Sequence, residues 1–369
     1  MTLEIIFYAF VGVVFLQALY YLVVFGNFSF RKVNQPNPKK IPVSIIVCAK
    51  NEAENVKHLI PALLSQDYPD FEVVLIDDSS SDETLDIFEE FEKTSSRIKL
   101  VKVVNNEAFW GNKKFALTLG IKAAKNEYLL FTDADCLPVS NQWLKEMSAH
   151  FTLKKTIVLG YGGYEKIKGS FLNKLIRFET LLTATQYLGW AAVGKPYMGV
   201  GRNLAYKREE FFKTNGFINH MKIRSGDDDL FINEAAHAEN TTYSVSPQSF
   251  TTSKPKTSFK DWFTQKRRHV STAKHYKGFD RFQLGLFYLT QLSFYLLAIL
   301  LLILQFQWVW VASIIGFRFL FAWLVMGKAA NKLKETDVIY FYPVIELILI
   351  GVQLNVFITN IFSKPVHWK

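Results

Sequence analysis

Three acidic clusters hold the residues of this chain best suited to chemistry: Asp77-Asp78, Asp133-Ala134-Asp135 and Asp227-Asp228-Asp229. A carboxylate pair spaced D-x-D can hold a divalent cation, Mg2+ or Mn2+, and leave coordination sites for phosphate oxygens. Such a cation neutralises charge gathering on a leaving diphosphate. A further carboxylate, placed across the reacting carbon from the leaving group, can take the proton of an attacking hydroxyl. The set suits transfer from a nucleotide-diphosphate donor. Acidic residues after strands also serve as helix caps, which could explain one pair but poorly explains two pairs and a third cluster. The chain has no GxxxxGK[ST] loop and no GxGxxG after its first apolar run, so neither a P-loop nucleotidase nor a dinucleotide fold is supported. Lys113 and Lys114 are nearby cation candidates.

The first two clusters follow short apolar runs. Strands are predicted at 43–48, 71–76, 98–103, 128–131 and 156–159, with helices between them at 53–65, 82–93, 113–125 and 141–150. This alternation predicts an α/β domain with a largely parallel, doubly wound sheet, whose ligands bind at the carboxyl ends of the strands. Asp77-Asp78 and the D-x-D segment stand at such ends.

Half of the 369 residues are apolar, and the net charge of +10 is concentrated in two places. Residues 29–40 hold four basic and no acidic residues, and residues 253–281 hold nine basic residues against Asp261 and Asp280. Both flank apolar runs. Residues 5–25, 284–304, 308–326 and 338–362 are long enough to span a membrane, the last two being interrupted by Arg318, Pro343, Glu346, Gln353 and Asn355. The basic residues after the first run place the N-terminus outside and residue 31 onward in the cytosol. Arg318 and Glu346 fall at similar depth in antiparallel spans and are expected to pair. Residues 171–190 read as amphipathic and interfacial, and 261–276 as a basic interfacial helix carrying Trp262, Phe263 and Val270. The expected domains are a membrane helix (1–28), a catalytic domain (41–250), a basic segment (251–282) and a three-helix membrane region (283–369). Cys48 and Cys136 form no disulfide framework or zinc spacing, and Cys136 is read as a packing residue. His58, His150 and His237 are read as surface or core residues rather than ligands.

Five segments, in order, resemble the membrane-bound family 2 glycosyltransferases of GT-A fold. VSIIVCAKNEAENV resembles the opening strand V-S-I-I-V-P-A-Y-N-E, and VVLIDDSSSDET resembles V-V-D-D-G-S-x-D-x-T. GNKKFALTLG resembles G-K-x-x-A-L-N-x-G and runs into the D-x-D segment. SGDDDLFIN resembles E-D-x-x-L, with Gly226 where Glu is usual, and TQKRRH resembles Q-x-x-R-W, with His269 in place of Trp. The resemblance implies that Ala49, Glu52, Asp77, Asp78, Lys113, Asp133, Asp135, Gln265 and Arg268 bind the nucleotide sugar. Asp78 is favoured over Asp77 as the base-recognising residue, and Asp135 with Asp133 is the metal site. Arg268 would meet the diphosphate, its planar fork suiting phosphate oxygens. The catalytic base is Asp227, or Asp228 in the alternative register. A tight loop from Gly199 to Asn203 puts Gly201 and Arg202 on the acceptor side, together with His269.

The resulting expectation is an inverting, metal-dependent glycosyltransferase in a bacterial inner membrane, its catalytic domain facing the cytoplasm. It would use a UDP-sugar or similar donor and a lipid, lipid-linked or polysaccharide acceptor. A processive polysaccharide synthase and an inactive donor-binding scaffold of an envelope-synthesis complex are the alternatives. Membrane lipids and other envelope-synthesis subunits are the remaining partners expected, and the placement of the charge removes any need for a nucleic-acid partner.

Overall fold

The computed structural model describes residues 2–32, 36–104, 113–223 and 225–363. In chain order, α1 (Thr2–Ala18), a π-helical stretch (Leu19–Phe25) and α2 (Gly26–Phe30) form one helix. Then follow β1 (Val43–Ala49), α3 (Ala53–Leu64), β2 (Phe71–Asp77), α4 (Thr84–Thr94), β3 (Ile98–Lys102), α5 (Lys113–Ala123), β4 (Tyr128–Phe131), β5 (Cys136–Pro138) and α6 (Trp143–Ser148). After β6 (Ile157–Leu159) and β7 (Gly162–Tyr164) come α7 (Phe171–Ala192), β8 (Leu204–Lys207), α8 (Arg208–Lys213), α9 (Asp229–Ala235), β9 (Thr241–Tyr243) and β10 (Thr251–Ser253). The chain closes with α10 (Phe259–Val270), α11 (Gly278–Ile303), α12 (Trp308–Lys332) and α13 (Tyr342–Phe362). These elements divide into two compact units, 33–167 with 194–255, and 1–32 with 168–193 and 256–369.

The first unit is an α/β domain. Its main sheet has the order β3-β2-β1-β4-β8-β6-β9. Covered on both faces, β2 is buried throughout and β1 nearly so, as their continuous Val, Ile and Leu runs require. The β1–β2, β1–β4, β2–β3 and β6–β9 pairs are parallel, while β8 runs against both β4 and β6. A second sheet, β5-β10-β7, has no counterpart in the sequence-based expectation. Helices α3 and α6 cover the core with Val56, Leu59, Leu63, Trp143, Leu144 and Met147. On α5, a Cβ at Gly120 would lie 2.1 Å from Ile76 Cδ1, so any other residue there would force the Ile76 side chain to move.

In the second unit, Thr2–Phe30, α11, α12 and α13 have the length and composition of membrane-spanning helices, the mark of a membrane protein. Arg318 and Glu346 pair as expected: Nη1 and Nη2 donate to the two Glu346 oxygens at 2.6 and 2.7 Å. Arg318 Nε also donates to Gln17 Oε1 at 2.7 Å. Tyr21, Tyr342, Tyr295 and Gln291 donate to Glu346 as well, so the buried carboxylate is fully engaged. Helix α7 is capped by Ser170, which accepts from Asn173 N at 3.1 Å. Its polar residues do not all face outward as an amphipathic interfacial helix requires. Asn173 and Arg177 are buried, and Arg177 binds Glu335 and Asp337. Helix α10 packs against α13, with Trp262 buried, Lys266 paired with Glu179 and Arg267 Nε donating to Asn360 Oδ1 at 2.9 Å.

Candidate active site

Strand β4 ends at Phe131, and the next two residues deliver Asp133 to the carboxyl edge of the sheet. Lys113, the first described residue of α5, reaches the same place. Its Nζ lies 2.8 Å from Asp133 Oδ1 and 3.0 Å from Asp227 Oδ2. Burial alone would lower the affinity of Lys113 for its proton, but the two carboxylates outweigh it and hold the pKa well above the ordinary value. Burial pushes Asp227 up, whereas Lys113 pulls it down further, leaving its pKa below the usual carboxylate value. Gly111 and Asn112, which open the lysine motif, lie outside the described residues.

The neighbouring carboxylate is in a different state. Asp228 Oδ2 accepts the Gly201 N–H at 2.7 Å, and Oδ1 accepts the Asp229 N–H at 2.7 Å to cap α9. Burial, followed by the charges of Asp227 and Asp229, raises Asp228 to about 7 against the opposing effect of the Gly201 N–H. Gly226, the departure from the E-D pattern, has φ +92°, and a Cβ there would lie 2.4 Å from Leu230 Cδ1. The local backbone thus requires glycine. Lys114 is fully buried and donates to the carbonyls of His220, Ile223 and Ser225, each at 2.8 Å. It fixes the segment entering the acidic cluster. Burial lowers its pKa to about 8 despite the three aspartates. Sequence reasoning gives Lys114 only as a candidate cation, because its carbonyl partners lie more than 100 positions away.

Ala49 ends β1 buried, and its carbonyl accepts the Asp78 N–H at 2.9 Å. Asp77 and Asp78 are both buried. The Asp77 oxygens accept the Ser80 N–H, and burial raises the Asp78 pKa, with Asp77 adding to it and Lys50 and Lys113 opposing. Glu52 precedes α3, its N–H donating to Thr84 Oγ1 at 2.9 Å and its Oε2 accepting from Asn55 at 2.6 Å. This edge of the domain joins the ends of β1 and β2.

Asp133, Asp135 and Cys136 present potential ligand atoms within 4.8 Å of one another. The two carboxylates fit a hard divalent cation, an oxygen-seeking ion that tolerates solvent ligands. The thiol does not. Cys136 is buried, lies near Ser253 Oγ at 2.9 Å and donates to Asp135 Oδ1 at 3.3 Å, and burial pushes its pKa well up. Arg202 follows Gly201, its guanidinium 4.5 Å from the centre of the Tyr164 ring. Burial lowers its pKa, but Tyr164, Cys136, Asp135 and Asp133 together raise it. Lys113, Asp133, Gly201, Asp227 and Asp228 line one cleft of the α/β unit. Gln265, Arg268 and His269 lie instead on α10 of the membrane unit, where Arg268 Nη2 is 3.4 Å from His269 Nε2.

The chain is similar to known glycosyltransferases. It is 33% identical over 135 residues to the Escherichia coli UDP-Glc:alpha-D-GlcNAc-diphosphoundecaprenol beta-1,3-glucosyltransferase, covering 36% of this chain and 50% of that protein. It is 39% identical over 93 residues to the poly-beta-1,6-N-acetyl-D-glucosamine synthase of Staphylococcus epidermidis, covering 25% and 21%. The chain spans between 21% and 59% of the length of the first curated relatives it matches. The solved mannosyltransferase of Pyrobaculum calidifontis, in complex with GDP-Man and Mn2+, shares its fold with TM-score 0.59 and 20% identity over 90% of this chain and 98% of that one. Glycosyl transferase family 2 matches residues 44–228, half of the chain, and the chain belongs to that family of glycosyltransferases.

Proposed function

We propose that the protein is an inverting glycosyltransferase that moves a sugar from a nucleotide-diphosphate donor, of the UDP-sugar type, to a hydroxyl of a lipid-linked or glycan acceptor. The observation that carries this reading is the bridge made by Lys113, which brings the D-x-D segment and the acidic cluster before α9 to one cleft. Ala49, Glu52, Asp77 and Asp78 would line the nucleoside end. Asp135 and Asp133 would hold Mg2+ or Mn2+, which when bound supplies positive charge to the diphosphate. Lys113 orients Asp133, and Arg268 with Gln265 would complete the donor side.

Asp227 is the proposed general base. It is ionised at neutral pH, and its role is to take the acceptor hydroxyl proton as the oxygen attacks the anomeric carbon and the bond to the diphosphate breaks. Asp228 instead fixes the loop at Gly201, both of its oxygens being engaged by backbone N–H groups. Gly201, Arg202 and His269 are assigned to the acceptor side. The α/β unit would face the cytoplasm of a bacterial inner membrane, with α10 at the lipid surface. The relative that acts on a diphosphoundecaprenol acceptor favours a lipid-linked substrate, and the one named as a polysaccharide synthase keeps polymer synthesis as the second reading.

The test is a thermal-shift screen of nucleotide sugars with Mg2+ or Mn2+, followed by product sizing with the donor that stabilises the protein. Stabilisation by one donor only when metal is present, with single-sugar products, is the expected result. Polymeric products would favour the synthase reading, and binding without hydrolysis or transfer would favour a scaffold.

A further inference from the structure

Arg202 is seated by its surroundings without being neutralised. Its stem crosses β7 at Gly162, where a Cβ would lie 3.0 Å from Arg202 Cβ and 3.4 Å from Nε. The guanidinium lies over the Tyr164 ring, and Nη1 donates to Gly163 O at 3.3 Å. The Gly-Gly-Tyr sequence of β7 thus supplies a groove, an acceptor and an aromatic floor. Among the described residues this is the guanidinium's one hydrogen bond, and it makes no ion pair with a carboxylate, although Asp133 and Asp135 are close enough to raise its pKa. A guanidinium has five N–H donors in a fixed fork. Most of this fork remains available on a half-buried, oriented cation.

Its position indicates what the fork would bind. The preceding residue, Gly201, donates its N–H to Asp228 beside the proposed base, and the Arg202 carbonyl accepts from Thr132 and Thr251 at 3.2 and 2.9 Å. The cation is therefore fixed between the D-x-D segment and the base cluster, on the side assigned to the acceptor. We propose that Arg202 recognises phosphate oxygens carried by the acceptor, so that the substrate is a phosphorylated, lipid-linked acceptor rather than a neutral glycan. This rests on the glycosyltransferase reading above. A planar fork suits two phosphate oxygens at once, and a single ammonium replaces it only in part.

The experiment uses the full chain in detergent with saturating UDP and Mn2+, so that the donor site is filled, and titrates farnesyl diphosphate against farnesol. Wild type is expected to bind the diphosphate at least about tenfold more tightly than the alcohol. Arg202→Gln should remove that preference and Arg202→Lys restore part of it, with the UDP affinity of both variants unchanged. Tyr164→Leu, which leaves the charge but removes its floor, should weaken diphosphate binding to a smaller extent. Equal binding of diphosphate and alcohol by wild type, or an unchanged preference in a folded Arg202→Gln variant, overturns the proposal. A matching loss of UDP affinity in Arg202→Gln also overturns it, by assigning the residue to the donor. Failure of the broader reading would look different: wild type would neither bind UDP nor turn over any nucleotide sugar.

Discussion

Asp227 and Asp228 are adjacent, yet their surroundings give them opposite proton affinities, and this difference separates their roles. Lys113 at 3.0 Å holds Asp227 ionised, whereas Asp228, raised to about 7, is largely protonated at pH 6. A base with pKa near 7 is about 9% ionised at pH 6 and about 91% at pH 8, so catalysis by Asp228 would raise kcat/KM about tenfold across that interval. Catalysis by Asp227 gives no such rise. The assay is sugar transfer under subsaturating donor and acceptor from pH 5.5 to 8.5, for wild type, Asp227→Asn and Asp228→Asn. Asp227→Asn should cost about 10²- to 10⁴-fold, the usual worth of a general base, with donor binding retained. Asp228→Asn should cost much less at pH 6, where it removes no charge but sets an amide NH2 against one of the two backbone N–H donors, a positional loss that should vary little with pH. A tenfold rise in the wild type that disappears in Asp228→Asn, or normal turnover in Asp227→Asn, would refute the assignment. Thermal stability provides a second readout. A raised folded pKa means that Asp228 favours the folded state increasingly as pH falls from about 7 towards its unfolded value, and this contribution is lost as pH rises through 7. The gain in melting temperature from pH 8 to pH 5.5 should therefore be smaller in Asp228→Asn than in wild type.

Asp135→Ala should abolish the metal-dependent part of nucleotide-sugar binding, read by titration calorimetry with and without Mn2+, and leave the fold intact by circular dichroism. Glu346→Gln would leave the buried Arg318 guanidinium without a charged partner and should destabilise the membrane unit by about 3 to 5 kcal/mol in detergent-unfolding experiments. Lys114→Met removes the donor shared by three carbonyls. It should cost about 2 kcal/mol or more of stability by denaturant unfolding and lower kcat more than donor affinity.

The elements that carry the acidic motifs are legible in sequence because β1, β2 and β4 are apolar runs buried on both faces, and their ends coincide with the first polar residues. The membrane helices are legible for the same reason, and the depth of Arg318 and Glu346 along their helices was enough to pair them. Strands of three residues are another matter. β5, β7 and β10 are too short to show a period and exist because they pair with one another. The inward turn of Arg177 was also hidden, since Glu335 and Asp337, the carboxylates that permit its burial, lie some 160 positions further on. At Gly226 the sequence shows a departure from the E-D pattern, while the reason for it, a positive φ against the Leu230 side chain, belongs to the folded backbone. Contacts between distant segments follow from the chain's topology and have no local signature.

The polar knot around Arg318 also sets an order of assembly. Arg318 and Glu346 are 28 residues apart, so α12 and α13 can enter the bilayer as a hairpin with their charges already matched. Gln17, which completes the arginine's set, is made 301 residues earlier. At about 5 to 20 residues per second, the first helix waits roughly 15 to 60 s in the membrane for its partner while the entire catalytic domain is synthesised. During that interval an uncharged amide, which lipid tolerates far better than an ion, holds the place, and the charged residues arrive together at the end.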